Sequence, residues 1–430
     1  MRRIAALAAL CLAAAALAQD APPDSGAVHA AERARFGYGD LRPGADGNDP
    51  AHPNYANFDE DKVGQLEPPS LFAPSADRTR QGWQERRSQL TRLIEQNWVG
   101  EIPDAVGGFR ITWEKEELSD APPGTIAERW RGAVHTFGGR EGPAIEARIT
   151  FPTAAQAAPA LIFYTYQWPG GREPQFGGPP LPDPVSQALE HGFVHVAYYP
   201  QTLQADTGAT MAEGVIGLAR WPRAEHDWGA LRAWAWGASR LRDELAADPR
   251  VNAARISLTG HSRFGKGVLV AAAFDHAFAD AHVSSSGAGG AKLMRRDFGE
   301  RWENMAGSYA FHWYTPAAMR YARSGHSVAE LPVDAHMLIA LRAPRPLFIT
   351  SGLAEKGDDW VDPRGMWIAT RLAQPAWALL GESTPDGEMP PPENGAESLF
   401  PLGWYQHGEG HVPWPAYEAF FAHEAHFAGQ

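Results

Sequence analysis

Residues 256–274 constrain the fold more than any other stretch. A short apolar strand, Ile256-Ser257-Leu258-Thr259, runs into Gly260-His261-Ser262-Arg263-Phe264-Gly265-Lys266. An apolar helix follows over 268–274. Strand, glycine turn, serine and helix in immediate succession require a helix that starts close to the strand end, which small residues permit. Such a turn exposes the serine. The helix N-terminus then offers backbone N–H groups and a positive dipole end to an oxyanion. The pattern departs from G-x-S-x-G, because the second glycine comes one residue late. A glycine-rich βα turn capped by Ser262 has the same local signature. Partners downstream decide between the two readings.

The chain opens Met1-Arg2-Arg3, followed by an alanine/leucine run ending in Ala16-Leu17-Ala18. This reads as a secretory signal peptide over residues 1–18, too short for a membrane span. Export to the periplasm or outside is the expectation. The only cysteine, Cys11, lies inside that segment. After cleavage no disulfide, thiolate or Cys-ligated metal remains possible. Loss of Arg2 and Arg3 takes the net charge from −13 to −15. No basic stripe is present, so nucleic acid is excluded as a partner. No later apolar run is long enough to span a bilayer. Of the 430 residues, 44% are hydrophobic, enough for one large α/β domain.

Residues 19–80, rich in Pro, Asp, Gly and Asn, read as an extended N-terminal arm. The catalytic domain is expected over 81–430. A helix is predicted over 80–97, with strands at 109–113, 145–151, 160–164 and 193–199. A strong amphipathic helix at 227–245 carries Leu231, Trp234, Ala238, Leu241 and Leu245 at helical spacing. Further strands are expected at 282–285, 346–351 and 376–380, helices at 364–372 and 417–427, and a Pro-rich loop at 384–400. Alternating strands and helices imply a largely parallel sheet covered by helices on both faces, a three-layer α/β/α sandwich.

A serine hydroxyl needs a base, and the base needs an orienting acid. In the α/β-hydrolase fold the chain order is Ser, acid, His. Gly357-Asp358-Asp359-Trp360-Val361-Asp362-Pro363 follows the strand at 346–351, where the acid belongs. His407-Gly408-Glu409-Gly410-His411 precedes the last helix, where the base belongs. His411 is favoured over His407, and Asp358 over Asp359. Asp362-Pro363 fits an N-cap followed by Pro at the first helical position. No H-E-x-x-H arrangement accompanies these histidines, so no metal or other cofactor is expected. Arg263 is placed to set a permanent positive charge beside the oxyanion. Lys266, one helical turn on, faces the same side.

At this point the residues resemble a known family. Gly-His-Ser-Arg-Phe-Gly-Lys (260–266) is similar to the G-C/H-S-R-x-G-K signature of glucuronoyl esterases, carbohydrate esterase family 15. The likeness runs from about residue 80 to the C-terminus. It takes in Asp227-Trp228-Gly229, Ser286-Gly287-Ala288-Gly289-Gly290, Arg295-Arg296-Asp297-Phe298-Gly299-Glu300, Pro332-Val333-Asp334-Ala335-His336 and the 358–363 segment. The resemblance implies hydrolysis of esters on the carboxyl group of 4-O-methyl-glucuronic acid, which links xylan to lignin alcohols in plant walls. It implies Ser262 as nucleophile, His411 as base and Arg263 at the oxyanion. Lys266, Glu300 and Trp360 would hold the sugar. Many members carry a catalytic Glu immediately before the Ser-Gly-x-Gly-Gly segment, where this chain has Ser285. The resemblance then assigns the acid to Asp358, two residues before the tryptophan. Glu303 stands as an alternative to Glu300 in sugar contact.

The expected protein is a secreted serine esterase acting on a small-molecule or polysaccharide uronate ester. An acetyl or feruloyl esterase is the first rival; it would not need Lys266, Glu300 or Trp360. A non-catalytic carbohydrate-binding protein is the second, and would bind sugar without turnover.

Overall fold

The computed structural model describes residues 23–64, 67–72, 78–167, 183–384 and 399–428. The strands are β1 (Arg110–Leu118), β2 (Thr125–His135), β3 (Glu141–Pro152), β4 (Ala158–Tyr164), β5 (Val194–Tyr199), β6 (Val251–His261), β7 (Ala281–Ser284), β8 (Leu347–Ser351) and β9 (Leu402–Gln406). They form one sheet in the order β1-β2-β3-β5-β4-β6-β7-β8-β9. β1, β2 and β3 pair antiparallel, and β3 pairs antiparallel with β5. From β5 to β9 every pairing is parallel. The principal helices are α1 (Pro23–Phe36), α2 (Arg80–Ile94), α3 (Pro184–Glu190), α4 (Ala230–Ala246), α5 (Arg263–Phe274), α6 (Ala335–Ala340), α7 (Pro363–Leu380) and α8 (Tyr417–Phe427). This is the expected α/β-hydrolase architecture.

β4 shows why the parallel half reads as a continuous apolar run. Its side chains alternate between faces, and both faces are covered. Ala160, Ile162 and Tyr164 join the large core with α4 and α5. Leu161 and Phe163 join a second cluster with Ala188 of α3 and Tyr417, Phe420 and Phe421 of α8. The apolar stripe of α4 is buried throughout, Leu231, Trp234, Ala238, Leu241 and Leu245 each showing no exposure. Burying each large side chain stabilises the fold by roughly 1.5–3 kcal/mol.

Four sequence expectations are corrected. Residues 376–380 are not a strand; they complete α7, which continues past Pro375. Proline removes one N–H from the helix, but Ala373, Gln374, Ala376 and Trp377 around it are buried. The strand beside β8 is instead β9, parallel to it from Leu347↔Leu402 to Ser351↔Gln406. β2 was not anticipated, because Glu128, Arg129 and Arg131 interrupt its apolar pattern. The N-terminal arm is not simply extended. It carries α1, whose Glu32 makes a bidentate pair with the fully buried Arg223, at 2.8 and 2.7 Å.

The remainder of the arm crosses the body of the fold. Arg42 pairs with Glu303, the backbone of Ala45 exchanges two hydrogen bonds with the Asn304 amide, and Glu60 pairs with Arg296. The expected signal peptide lies outside the described residues, as does most of the 384–400 loop. Among the described residues no helix is long and apolar enough to cross a membrane.

The parallel strands deliver the loops of interest to one edge. β6 leads into Ser262, β7 into Ser285, β8 to Asp358 and β9 to His411. In open α/β sheets the crevice at the carboxyl ends of the strands is where ligands bind.

Candidate active site

Ser262 sits between β6 and α5 with φ +56° and ψ −127°. A non-glycine residue at positive φ costs of order 1–3 kcal/mol and persists only where surrounding structure enforces it. Two glycines make room for the tight turn here. A Cβ on Gly260 would lie 2.6 Å from the Phe264 carbonyl oxygen, and one on Gly265 would lie 2.8 Å from that of Ser284. The late glycine of the motif therefore serves close helix–sheet packing. The Ser262 N–H donates to Ser284 O at 2.9 Å, locking the turn to β7. Arg263 is the first residue of α5, so its own N–H has no acceptor within the helix.

His411 lies beside this turn. Its ring centroid is 4.3 Å from that of His261, the residue before the serine. His411 Nδ1 is 2.6 Å from Asp358 Oδ1. That contact fixes Nδ1 as the protonated nitrogen and leaves Nε2 as the basic one. Asp358 is fully buried and, among the described residues, has no Lys or Arg partner. Its second oxygen accepts from Ser285 Oγ at 2.9 Å and from the Gly352 N–H at 2.6 Å. Ser285 thus touches the Asp358 carboxylate from the side opposite His411.

The neighbouring carboxylates have other uses. Asp359 accepts from the Trp360 N–H, and burial pushes its carboxyl pKa up. Asp362 caps α7 through the Gly365 N–H at 2.8 Å and pairs with Arg296 at 2.8 Å. His407 is buried, and its Nδ1 accepts from the Glu409 N–H. Among the described residues no three His, Cys, Asp or Glu side chains are grouped to hold a metal ion.

Arg263 is held as a fork. Its Nη1 donates to Asp206 at 2.8 Å and its Nη2 to the Tyr309 hydroxyl at 2.5 Å. Asp206 also accepts from His312 Nε2 at 3.0 Å and Trp313 Nε1 at 2.5 Å. Burial opposes ionisation of Asp206, but these donors and the Arg263 charge hold its carboxyl well below the usual range. Burial likewise opposes the Arg263 charge, and Asp206 overcomes it. No sequence signal singled out Asp206 or Tyr309; each reaches Arg263 only through the fold.

Lys266 is buried, with Nζ donating to Ser286 O and Ala288 O at 2.7 Å each and to Glu300 Oε2 at 2.9 Å. An ammonium has three donors, so the expected free N–H toward a sugar hydroxyl is already spent. Burial pulls the Lys266 pKa below its ordinary value, and Glu300 opposes that shift. Glu300 Oε2 also accepts from the Ala288 N–H at 2.9 Å. Trp360 is half-buried, and its carbonyl accepts from the Glu300 N–H at 2.7 Å. Gly47 of the arm lies against its ring; a Cβ there would come within 2.8 Å of it. Glu303 does not accompany Glu300. Arg42 Nε and Nη2 both bind its Oε1, at 3.0 and 2.6 Å, so its carboxylate anchors the arm.

Comparison with known proteins supplies the family context. The family model described as "Glucuronyl esterase, fungi" matches residues 136–381. The chain is 38% identical over 167 residues to "Carbohydrate esterase MZ0003" from an unknown prokaryotic organism, covering 39% of this chain and 37% of that protein. It is 28% identical over 310 residues to the "4-O-methyl-glucuronoyl methylesterase" of Hypocrea jecorina, covering 69% of this chain and 58% of that one. Both matches span less than two thirds of those relatives. Among solved structures, a CE15 glucuronoyl esterase from Teredinibacter turnerae superposes with a TM-score of 0.82 at 33% identity, covering 93% of this chain and 99% of the other. A glucuronoyl esterase from Solibacter usitatus gives 0.72 at 26%, covering 86% and 100%.

Proposed function

Since this chain belongs to the glucuronyl esterase family, we propose that it is a secreted serine esterase hydrolysing esters on the carboxyl group of (4-O-methyl-)glucuronic acid. The natural substrate is the ester joining glucuronoxylan to lignin alcohols. The observation that carries the reading is the 2.6 Å His411–Asp358 pair set against the strained Ser262 turn.

Ser262 Oγ attacks the ester carbonyl carbon, and His411 Nε2 takes the hydroxyl proton. Asp358 stabilises the imidazolium so formed without itself taking the proton. The carbonyl electron pair becomes an oxyanion, facing the charge of Arg263 and the first amides of α5. Collapse breaks the bond to the alcohol oxygen, which leaves with the proton from His411. Water then attacks the acyl-enzyme, again with His411 as base, and glucuronate leaves as Ser262 regains its proton. Both oxyanions use the same donors.

The sugar rests on Trp360 and Glu300. Oε2 of Glu300 is occupied by Lys266 and the Ala288 N–H. Oε1 is the acceptor offered to a pyranose hydroxyl, and Lys266 acts by fixing that carboxylate. Glu303 is left out of the sugar site because Arg42 holds it. The name of the Hypocrea jecorina relative, a 4-O-methyl-glucuronoyl methylesterase, supports the uronate over an acetyl or feruloyl substrate.

The test is hydrolysis of benzyl glucuronate against p-nitrophenyl acetate, with Ser262→Ala as control. Turnover is expected to favour the uronate ester and to vanish in the variant. Preference for the acetate would discard the sugar site. Undiminished turnover in Ser262→Ala would discard the nucleophile.

A further inference from the structure

We propose that Tyr309 is a further catalytic residue of this reaction, its phenolic hydroxyl donating a hydrogen bond to the acyl oxygen as that oxygen becomes the oxyanion. The inference rests on the serine-esterase reading above. It starts from the direction of one hydrogen bond. A guanidinium has donors and no acceptor, so in the 2.5 Å contact Arg263 donates and the Tyr309 oxygen accepts. The phenolic proton must therefore point elsewhere. Among the described residues it has no protein acceptor.

The ring that carries it is held in place beside Arg263 and Trp313. Tyr309 is half-buried, whereas Ala310, Phe311, Trp313 and Tyr314 next to it are buried. Its ring is fixed edge-on to Trp313, with centroids 5.7 Å apart and planes at 75°. The Arg263 guanidinium, attached to the residue after Ser262, lies 5.6 Å from the Tyr309 ring centroid and 5.5 Å from that of Trp313. Beyond burial, Asp206, Tyr166 and Glu300 add electrostatic influences that raise the Tyr309 pKa. An oxygen that accepts from a cation makes a better O–H donor, because successive hydrogen bonds polarise one another. Burial pushes the Tyr309 pKa up to about 12 although Arg263 opposes the shift, so the donor keeps its proton at neutral pH. No proton is transferred; the bond strengthens as negative charge develops and weakens when it collapses.

The experiment uses the full chain with benzyl glucuronate and compares Tyr309→Phe in wild-type and Arg263→Ala backgrounds. Phenylalanine keeps the ring on Trp313 and removes only the hydroxyl. Removing one such donor costs about 100-fold in kcat. The expected result is that kcat and kcat/KM fall together by about that factor. KM and the thermal midpoint are expected to stay at wild-type values, and the loss to persist in the Arg263→Ala background. Wild-type kcat in Tyr309→Phe would overturn the proposal. So would a loss that disappears without Arg263, since Tyr309 would then act only by holding the arginine. A rate that falls in step with the thermal midpoint would reduce Tyr309 to packing. Ser262→Ala separates the levels. If it is inactive while Tyr309→Phe is fully active, only this proposal fails. If it is active, the esterase mechanism fails and this proposal with it.

Discussion

At the residue scale, the acid we propose is set apart by what surrounds it. Asp358 and Asp359 are adjacent, yet only Asp358 is wholly buried and faces a histidine. With three donors on its two oxygens and no Lys or Arg partner among the described residues, it is placed to stabilise the imidazolium that the proposed mechanism forms on His411. Asp358→Ala is expected to lower kcat by about 10⁴-fold, the scale seen when the orienting carboxylate of such a triad is lost. Asp359→Ala is expected to stay near wild type. Ser285→Ala removes one hydrogen bond to a charged group, worth about 1.5–3 kcal/mol, and should fall between. Steady-state kinetics on the three variants decides; equal rates would show that neither Asp358 nor Ser285 orients the base.

At the element scale, the arm is the feature that sequence patterning undervalued. Helix α1 reaches the body through Glu32 and Arg223, whose guanidinium also donates to Tyr314 O at 2.7 Å and to Trp228 O at 3.2 Å. Removing one partner of a buried pair leaves an uncompensated charge, at a cost of about 3–5 kcal/mol. Glu32→Ala is expected to lose that much in urea unfolding. The pair of changes Glu32→Leu and Arg223→Met should recover most of it, because the desolvation penalty goes with both charges. If Glu32→Ala unfolds like wild type, α1 is not anchored by this pair. Further along, the same arm occupies Glu303 and packs Gly47 on Trp360. The arm expected to be extended is thus in contact with Trp360 and Glu303.

At the scale of the whole molecule, burial sets the acid limit of the fold. His195 on β5 and His282 on β7 are buried, and burial lowers their pKa values to about 4 and about 3. In the unfolded chain both titrate near 6.5. Between these values the unfolded chain binds protons that the folded one does not, so stability rises with pH across that window. It is complete above pH 6.5 and is lost as pH falls toward 4. At pH 5 the linkage from His195 alone amounts to roughly 2 kcal/mol. His195 packs against Phe163, with ring centroids 4.6 Å apart and planes tilted by 36°, and its Nδ1 has no hydrogen-bond partner among the described residues, so His195→Phe keeps the packing and removes the titration. The thermal midpoint of the wild type should drop between pH 7 and pH 5, and that of His195→Phe should drop less. Parallel slopes would remove His195 from this account.

The chain by itself determined whatever depends on neighbours in sequence. The glycines flanking Ser262, the apolar stripe of α4, the continuous apolar run of β4 and the cap at Asp362-Pro363 are all local, and each was legible. The chain order of the proposed serine, aspartate and histidine follows where β6, β8 and β9 end, although β9 itself lay outside the expected strands. Only the tertiary structure decided which side chains meet across distant segments. Asp206 and Tyr309 come to Arg263 from 57 and 46 residues away, Ser285 to Asp358 from 73, and Arg42 to Glu303 from 261. No periodicity encodes those encounters. Those at Arg263 and Asp358 arise because the parallel strands deliver their following loops to one edge, and the one at Glu303 because the arm crosses the body of the fold; in each, a buried polar or charged group is costly until it finds a partner.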